Sequence, residues 1–193
     1  MGKTSDLLYH LAHEHSGVFT AGEASQAGVR LPALVQAASR GIIQPLSRGI
    51  YRYVRYPVDE QIAQLWEAVL WPTLRRGTVP TAALSHLTAL AEHYRAIEYT
   101  PPRVSITIPS TIRIRRTTPA WLEIHSADLP PDEVESARAG LPVTSLARTI
   151  VDCLATNVDR RWLRNAIDAS LEGRSEMRTP DSAALSQLRE LVG

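Results

Sequence analysis

The residues best suited to chemistry in this chain are the polar and small side chains between positions 30 and 40. Gln36 and Arg40 lie four positions apart, so both fall on one face of a predicted helix. Glutamine can contact adenine through two hydrogen bonds, arginine suits guanine or phosphate, and small side chains let a helix approach base edges closely. We therefore interpret this face as a surface for duplex DNA, formed by Arg30, Ala33, Gln36, Ala37 and Arg40.

Further arginines lie in a predicted β-hairpin directly after this helix. Residues 42–45 and 49–55 are typical of two strands, with a short turn at 46–48. Five of the six cations within residues 1–56 lie just before the helix, on it or on the hairpin, against three acidic residues in the whole segment. A surface that faces phosphate is expected to have such an excess. The arginines of the hairpin are Arg48, Arg52 and Arg55.

Two short helices that meet at a tight corner are predicted to position these residues. Thr20 followed by Glu23 is a capping box, so a helix begins near position 21. Gly28 can adopt the left-handed conformation that ends it. The second helix opens around Pro32, where a missing N–H costs nothing, and closes before Gly41. Its core-facing side chains are predicted to be Leu31, Leu34, Val35, Ala38 and Ile42.

With a further amphipathic helix over residues 5–14, this order of elements predicts a winged helix-turn-helix. The competing interpretation is a helical hairpin and a β-hairpin that pack together and never touch DNA. The concentration of arginine on the second helix and the hairpin favours the DNA-binding interpretation.

The remainder of the chain differs in composition and is predicted to form a second domain. The whole chain holds 21 basic and 20 acidic residues among 193, and 44% hydrophobic residues suffice for a core. We place the domains at 1–56 and 57–193. The single cysteine, Cys153, excludes an internal disulfide framework. We find no signal peptide and no apolar run of about 18 residues, so we expect a cytoplasmic protein without membrane contact.

The second domain is predicted to combine helices with a small sheet. Helices are expected over 59–74, 82–94, 144–155, 159–173 and 180–192, and strands over 104–109, 112–116 and 122–126. The predicted fold class is α+β, with a C-terminal α/β domain whose mostly antiparallel sheet is flanked by helices. Residues 101–119 hold four arginines and no acid, and their outward face on a hairpin would form a second basic patch of Arg103, Arg113, Arg115 and Arg116.

No group of residues in the sequence has the spacing of a known catalytic or metal site, so we predict no catalytic residues, no metal and no cofactor. His10, His13 and His15 lack a cysteine or carboxylate in the pattern to complete a ligand set. An atypical phosphotransferase would have to use Asp152 or Asp168, and Asp152 has a competing role as partner of Arg148 one helical turn away.

Residues 17–52 resemble the N-terminal winged domain of AbiEi-type antitoxins, which are regulators paired with nucleotidyltransferase toxins in phage-defence operons. Residues 83–90, the strand ending at 109 and residues 141–152 are similar to landmarks of the C-terminal domain of that family. The resemblance implies a repressor that binds an inverted repeat in its own promoter. It also implies a cognate nucleotidyltransferase toxin, which is counteracted directly or indirectly.

Three classes of function remain open after the sequence alone. The first is a DNA-binding antitoxin that represses its operon. The second is an antitoxin that covalently modifies its toxin, for example as an atypical kinase. The third is a protein-interaction module that does not bind DNA.

Overall fold

The structure is a computed structural model that describes residues 3–57, 59–73, 82–94, 102–175, 177, 180 and 182–193. Its contacts divide the chain into two units. One comprises Met1–Ala82 with Arg138–Leu141, and the other comprises Ala83–Ala137 with Pro142–Gly193. The boundary predicted after residue 56 lies inside the first unit. The reason is that the next helix, Glu60–Leu70, packs on the N-terminal sheet.

The first unit follows the predicted order of helices and hairpin. A three-residue strand that the sequence did not reveal joins the hairpin, which gives an antiparallel sheet of order β1-β3-β2. The elements are α1 (Lys3–Glu14), β1 (Val18–Thr20), α2 (Ala21–Gln26), α3 (Leu31–Ser39), β2 (Ile43–Ser47), β3 (Ile50–Tyr53) and α4 (Glu60–Leu70), then a 3-10 turn (Trp71–Thr73).

The capping box at the start of α2 is confirmed. Thr20 Oγ1 accepts from the Glu23 amide at 3.1 Å, and a Glu23 carboxylate oxygen accepts from the Thr20 amide at 2.6 Å. At the other end Gly28 has a φ of +86°, which lets the Val29 amide turn back and donate to the Ala24 carbonyl at 2.7 Å. These bonds set the corner between α2 and α3.

The core of the first unit holds the two paired helices against α1 and the hairpin. Phe19 of β1 and Leu8 of α1 are fully buried, and Leu34 and Ala37 of α3 pack into the same cluster. The turn of the hairpin is fixed to the start of α2, since the Ala21 amide donates to the Gly49 carbonyl at 2.8 Å. The sheet and helices thus hold α3 and the hairpin in one body.

We expect the capping box to contribute measurably to the first unit. Thr20→Val keeps the shape of the side chain but removes the hydroxyl that caps α2, which costs about 1 kcal/mol. Hydrogen exchange of the Val29 amide, which is bonded to Ala24 across the corner, should accelerate about fivefold. The control is Ser25→Ala at an exposed site of the same helix, in which the exchange rate of the Val29 amide should stay unchanged. An unchanged exchange rate in Thr20→Val as well would contradict this role of the capping box.

The second unit is a five-stranded mixed sheet with helices. Its strand order is β6-β5-β4-β8-β7, with β5–β6 and β4–β8 parallel and β4–β5 and β7–β8 antiparallel. The predicted α+β class is confirmed. The elements are β4 (Ala83–Leu84), α5 (His86–His93), β5 (Val104–Pro109), β6 (Leu122–Ala127), β7 (Val134–Ser136), β8 (Pro142–Thr144), α6 (Leu146–Ala155), α7 (Arg160–Leu171) and α8 (Ser182–Val192), with 3-10 turns at Pro131–Glu133 and Arg138–Gly140.

The strand predicted over 112–116 is wrong. Both edges of β5 are already occupied, by β4 on one side and β6 on the other, so no edge is left for a hairpin partner. The alternation of residues 104–109 predicts that Ser105 and Thr107 face outward, but they are 4% and 1% exposed because this inner strand is covered on both faces. The first residues of the predicted helix 82–94 are also drawn into the sheet as β4, and the helix starts only at His86.

The helices after the sheet form the main core of the second unit. Ser145 caps α6 by accepting from the Arg148 amide, and Asp159 caps α7 by accepting from the Arg161 amide. Both helices agree with the predicted ranges. The last helix, predicted over 180–192, is described from Ser182, and position 181 lies outside the described residues. The buried side chains include Leu90, Leu146, Ile150, Cys153, Leu163, Ile167, Leu185 and Val192. Within the described part of the chain no helix has both the length and the apolar character to cross a membrane.

Candidate nucleic-acid interface

The exposed face of α3 consists of two rows of side chains that run along the helix. The rows are spaced by four residues, so each keeps one azimuth on the helix surface. One row is apolar at its start and contains Leu31 and Val35, each 62% exposed. The other row contains Gln36 and Arg40, both exposed. The exposed positions of α3 and its C-cap are Leu31, Pro32, Val35, Gln36, Ser39 and Arg40.

This face differs from the predicted one in its orientation. Ala37, predicted to face outward, is 5% exposed and belongs to the core, whereas Leu31 and Val35, predicted to face the core, are exposed. The helix is apolar over most of its circumference, so periodicity alone does not define one buried stripe. Leu34 and the small Ala37 carry the packing, and Ala33 is half-buried at the margin. The prediction for Ala37 is therefore wrong, while Gln36 and Arg40 lie outward.

The hairpin presents its arginines in different ways. Arg48 is exposed in the turn between β2 and β3, and Arg55 is exposed just after β3. Arg52 is half-buried, and its Nη2 donates to Gln44 Oε1 at 2.9 Å across the strand pair. Arg52 thus braces the hairpin. Arg48 and Arg55, in contrast, are exposed to solvent.

Arg30 completes the arginines around α3. It is exposed at the N-cap of the helix, and its side chain makes no capping hydrogen bond. An arginine at this position lies at the positive end of the helix dipole, and its exposed guanidinium suits a phosphate.

The electrostatics of this surface are set by where the acidic residues lie. Residues 29–55 contain five arginines and no aspartate or glutamate. The nearest acidic residues in the sequence are Asp59, which is exposed four positions after Arg55, and Glu23, which is 3% exposed and has its carboxylate turned into the capping box. Its other oxygen lies 3.4 Å from His15 Nδ1. The positive charge of α3 and the hairpin is therefore not neutralised by carboxylates from these elements.

Glu14, His15 and Glu23 form the one group with metal-ligand potential among the described residues. One ligand atom from each lies within 4.8 Å of the others. The sequence missed this set because Glu23 comes from another helix. Burial lowers the pKa of His15, although the Glu23 and Glu14 carboxylates oppose the shift. The capping box and the His15–Glu23 contact already account for the grouping.

The second unit contains a charged network centred on Arg148. Its Nε donates to Asp152 Oδ1 at 2.9 Å, which confirms the predicted pairing one helical turn apart. Its Nη1 contacts the Glu133 carboxylate and donates to the Asp128 carbonyl. Asp168 is in turn 3.3 Å from Arg189 Nη2. Both carboxylates proposed for a phosphotransferase are thus in contact with arginines of the same unit.

A pair of stacked histidines lies beside this network. The rings of His86 and His125 are 3.5 Å apart between centroids with an interplanar angle of 17°. His86 has a φ of +52° and forms a 3.0 Å hydrogen bond between Nδ1 and Ser85 Oγ. Burial and the neighbouring His125 lower the pKa of His86 to about 4. The sequence gives no signal for this pair, because its members come from α5 and β6.

The predicted second basic patch does not exist as a hairpin face. Arg103, Arg113 and Arg115 are exposed and Arg116 is half-buried, but the described residues between β5 and β6 form no strand that would align them. The predicted alignment of these four arginines is therefore wrong. They form no part of the interface proposed below.

Three helices, a sharp turn between α2 and α3 and an antiparallel hairpin define a winged helix-turn-helix, a class of domain in which the second paired helix docks into a DNA groove. Residues 6–54 match the family model described as "Transcriptional regulator, AbiEi antitoxin". The predicted resemblance is confirmed over these residues, which are similar to the transcriptional regulator domain that this family model describes.

A second similarity is to a solved structure, the RV2827C protein from Mycobacterium tuberculosis. The sequence identity is 16% and the TM-score is 0.47, with 100% of this chain and 78% of that chain covered. No curated protein matches the chain.

Proposed function

We propose that this chain is the antitoxin of a bacterial toxin–antitoxin pair, that it represses its own operon by binding promoter DNA, and that it neutralises a nucleotidyltransferase-type toxin. α3 would lie in the major groove and the hairpin would contact the flanking backbone. The cytoplasm is the expected location for both activities.

The observation that carries this proposal is the arginine-bearing surface of α3 and the hairpin, whose own residues 29–55 include no aspartate or glutamate. Gln36 and Arg40 point outward from one helix face, and Arg48 is exposed at the turn of the hairpin. Guanidinium groups that neutralise phosphates release counterions and supply the bulk of affinity for duplexes. Side chains on the helix face can then distinguish base pairs by their hydrogen-bonding edges.

The direct test is a gel shift of the full chain on the promoter region upstream of its own reading frame. We expect binding that is at least about a thousandfold tighter than on an unrelated duplex of equal length. If two copies bind an inverted repeat on one side of the duplex, the half-site centres should lie about 34–36 Å apart, or a multiple of that distance. Equal affinity for both duplexes would contradict the proposal.

Neutralisation should be separable from DNA binding. The second unit has its own core of α5 to α8, so the double variant Arg40→Ala/Arg48→Ala should still protect cells that express the toxin, while a promoter-linked reporter is derepressed. Co-expression of the full-length variant with the downstream reading frame measures protection, and reporter activity measures repression. A soluble, folded variant that loses protection as well would show that the DNA-binding face also contacts the toxin, contrary to this expectation.

A further inference from the structure

We propose that Leu31 and Val35 recognise the methyl groups of two thymines in the major groove, an inference that rests on the proposed function. Both side chains are 62% exposed on α3, while the neighbouring Leu34 and Ala37 are 1% and 5% exposed. Two aliphatic side chains left in water on the same helix face gain little from folding. Their exposure is explained if a partner covers them.

The arrangement of polar and apolar side chains on α3 matches what the major groove presents. Leu31 and Val35 form one row and Gln36 and Arg40 form a second row of the exposed face, with the exposed Pro32 and Ser39 between the two rows. The thymine 5-methyl is the apolar feature among the groups that base pairs display in this groove, and the remaining groups are hydrogen-bond donors and acceptors. A helix with an apolar row beside a polar row can therefore contact both kinds of group at once.

The distance between Leu31 and Val35 along the helix determines how far apart the two thymines should be. Residues four apart on a helix are separated by about 6 Å along its axis. Successive bases on one strand are separated by about 3.4 Å. Leu31 and Val35 should therefore contact thymines about two base steps apart.

Charge identifies nucleic acid as the occupant of this face. The exposed Arg30 precedes the apolar row at the N-cap of α3, the exposed Arg40 lies at the C-cap of the same helix, and Arg48 lies in the turn of the adjoining hairpin. Residues 29–55 contribute no carboxylate that would pair with a basic partner. An apolar strip on a helix with exposed arginines at both of its ends complements the methyl groups and phosphates of a duplex.

The test removes the methyl groups without changing any hydrogen-bonding edge. A duplex is selected from a randomised pool by the full wild-type chain, and its thymines are then replaced by uracil one at a time. We expect two positions at which the loss of the methyl weakens binding about fourfold, and about fifteenfold for both together, the effect of one buried methyl group each. Leu31→Ala and Val35→Ala should each bind the thymine duplex more weakly and become insensitive to uracil at one of the two positions.

Gln36→Ala is the matched control, because it removes an exposed side chain from the second row and should weaken binding while keeping full sensitivity to uracil. Wild-type binding that is indifferent to uracil, or a selected site without thymine, would overturn this inference and leave the proposed function standing. Failure of the wild-type chain to select any duplex would overturn both. Variants that keep full affinity but sediment as smaller species would assign the apolar row to self-association instead.

Discussion

Replacing both Arg40 and Arg48 by alanine is expected to abolish specific promoter binding under physiological salt. Arg40 is exposed at the end of α3 and Arg48 is exposed in the turn of the hairpin, so neither substitution disturbs the core. Loss of a base contact from Arg40 should cost about 1–3 kcal/mol, or about 5- to 150-fold in affinity. Loss of a phosphate contact from Arg48 should add a further reduction that is the same for every sequence.

The two single variants should change DNA binding in different ways: Arg48→Ala should affect all sequences, and Arg40→Ala should affect the operator most. Arg48→Ala should lower the slope of log affinity against log salt concentration by about one, because one fewer counterion is released, and should affect operator and unrelated duplexes equally. Arg40→Ala should weaken the operator more than unrelated DNA if the side chain contacts a base. The measurement is a set of binding titrations over a range of salt concentrations on both duplexes.

The matched control carries the same loss of charge on α7 in the second unit. Arg161 and Arg164 are exposed there, so Arg161→Ala/Arg164→Ala removes two positive charges away from α3 and the hairpin. We expect little change in its promoter affinity. An equal loss of affinity in the control and in Arg40→Ala/Arg48→Ala would mean that net charge alone governs binding, and the proposed interface would be wrong.

The second large effect is expected in the pH dependence of stability of the second unit. His86 has a pKa of about 4 in the folded protein, below its ordinary value of 6.5, because it is buried and stacked on His125. Above pH 6.5 the ring is neutral in both folded and unfolded chains. Below that value the unfolded chain binds a proton that the folded chain does not, so stability falls as the pH drops from 6.5 to 4.

The free energy of unfolding should fall by about 3 kcal/mol over this range. Each unit of difference between the folded and unfolded pKa of His86 corresponds to about 1.4 kcal/mol. Other charged groups act on the same ring. The Asp152 and Glu123 carboxylates favour its protonation, whereas Arg148 and a protonated His125 oppose it. His86→Asn removes the titrating group and keeps a residue type that tolerates the positive φ.

Denaturant unfolding of the second unit at pH 7 and pH 4 measures this difference. We expect the wild-type chain to lose about 3 kcal/mol more than His86→Asn between the two pH values. His10→Asn, which changes an exposed histidine on α1, should behave like the wild type. Equal losses in the wild-type chain and in His86→Asn would show that His86 does not resist protonation in the folded protein.

The sequence predicts those parts of the fold that local interactions determine. The Thr20–Glu23 capping box and Gly28 at the corner, both predicted, depend on residues within or next to one helical turn. These hydrogen bonds join near neighbours in the chain, so the ends of the helices can be predicted without knowledge of the rest of the fold.

The orientation of α3 could not be predicted in the same way. Leu34 and Ala37 face the core, although Leu31 and Val35 are as apolar as the residues that are buried. A nine-residue helix of this composition has several equivalent apolar stripes, and packing against α2 and the hairpin selects one. The consequence for the site is large, because two aliphatic side chains replace two alanines in the surface that we assign to DNA.

Long-range pairing explains the remaining differences. Residues 112–116 alternate as a strand does, but β6 takes the edge of β5 as a parallel partner from further along the chain. The two-residue strand β4 is defined by pairing with β5 and β8 and carries no pattern of its own. The stack of His86 on His125 likewise depends on the sheet that brings α5 and β6 together.

The most direct measurement of the central claim is DNA cleavage by a reagent attached to α3. Cys153, the single cysteine, is 0% exposed, and burial raises the pKa of its thiol to about 12, so an introduced surface cysteine can be modified selectively. An iron chelate on Ser39→Cys should cleave the promoter within each half-site, at positions reached from the major groove. The same chelate on His10→Cys of α1 should leave these positions intact. Binding to the promoter with cleavage from His10→Cys and none from Ser39→Cys would contradict the placement of α3 against DNA.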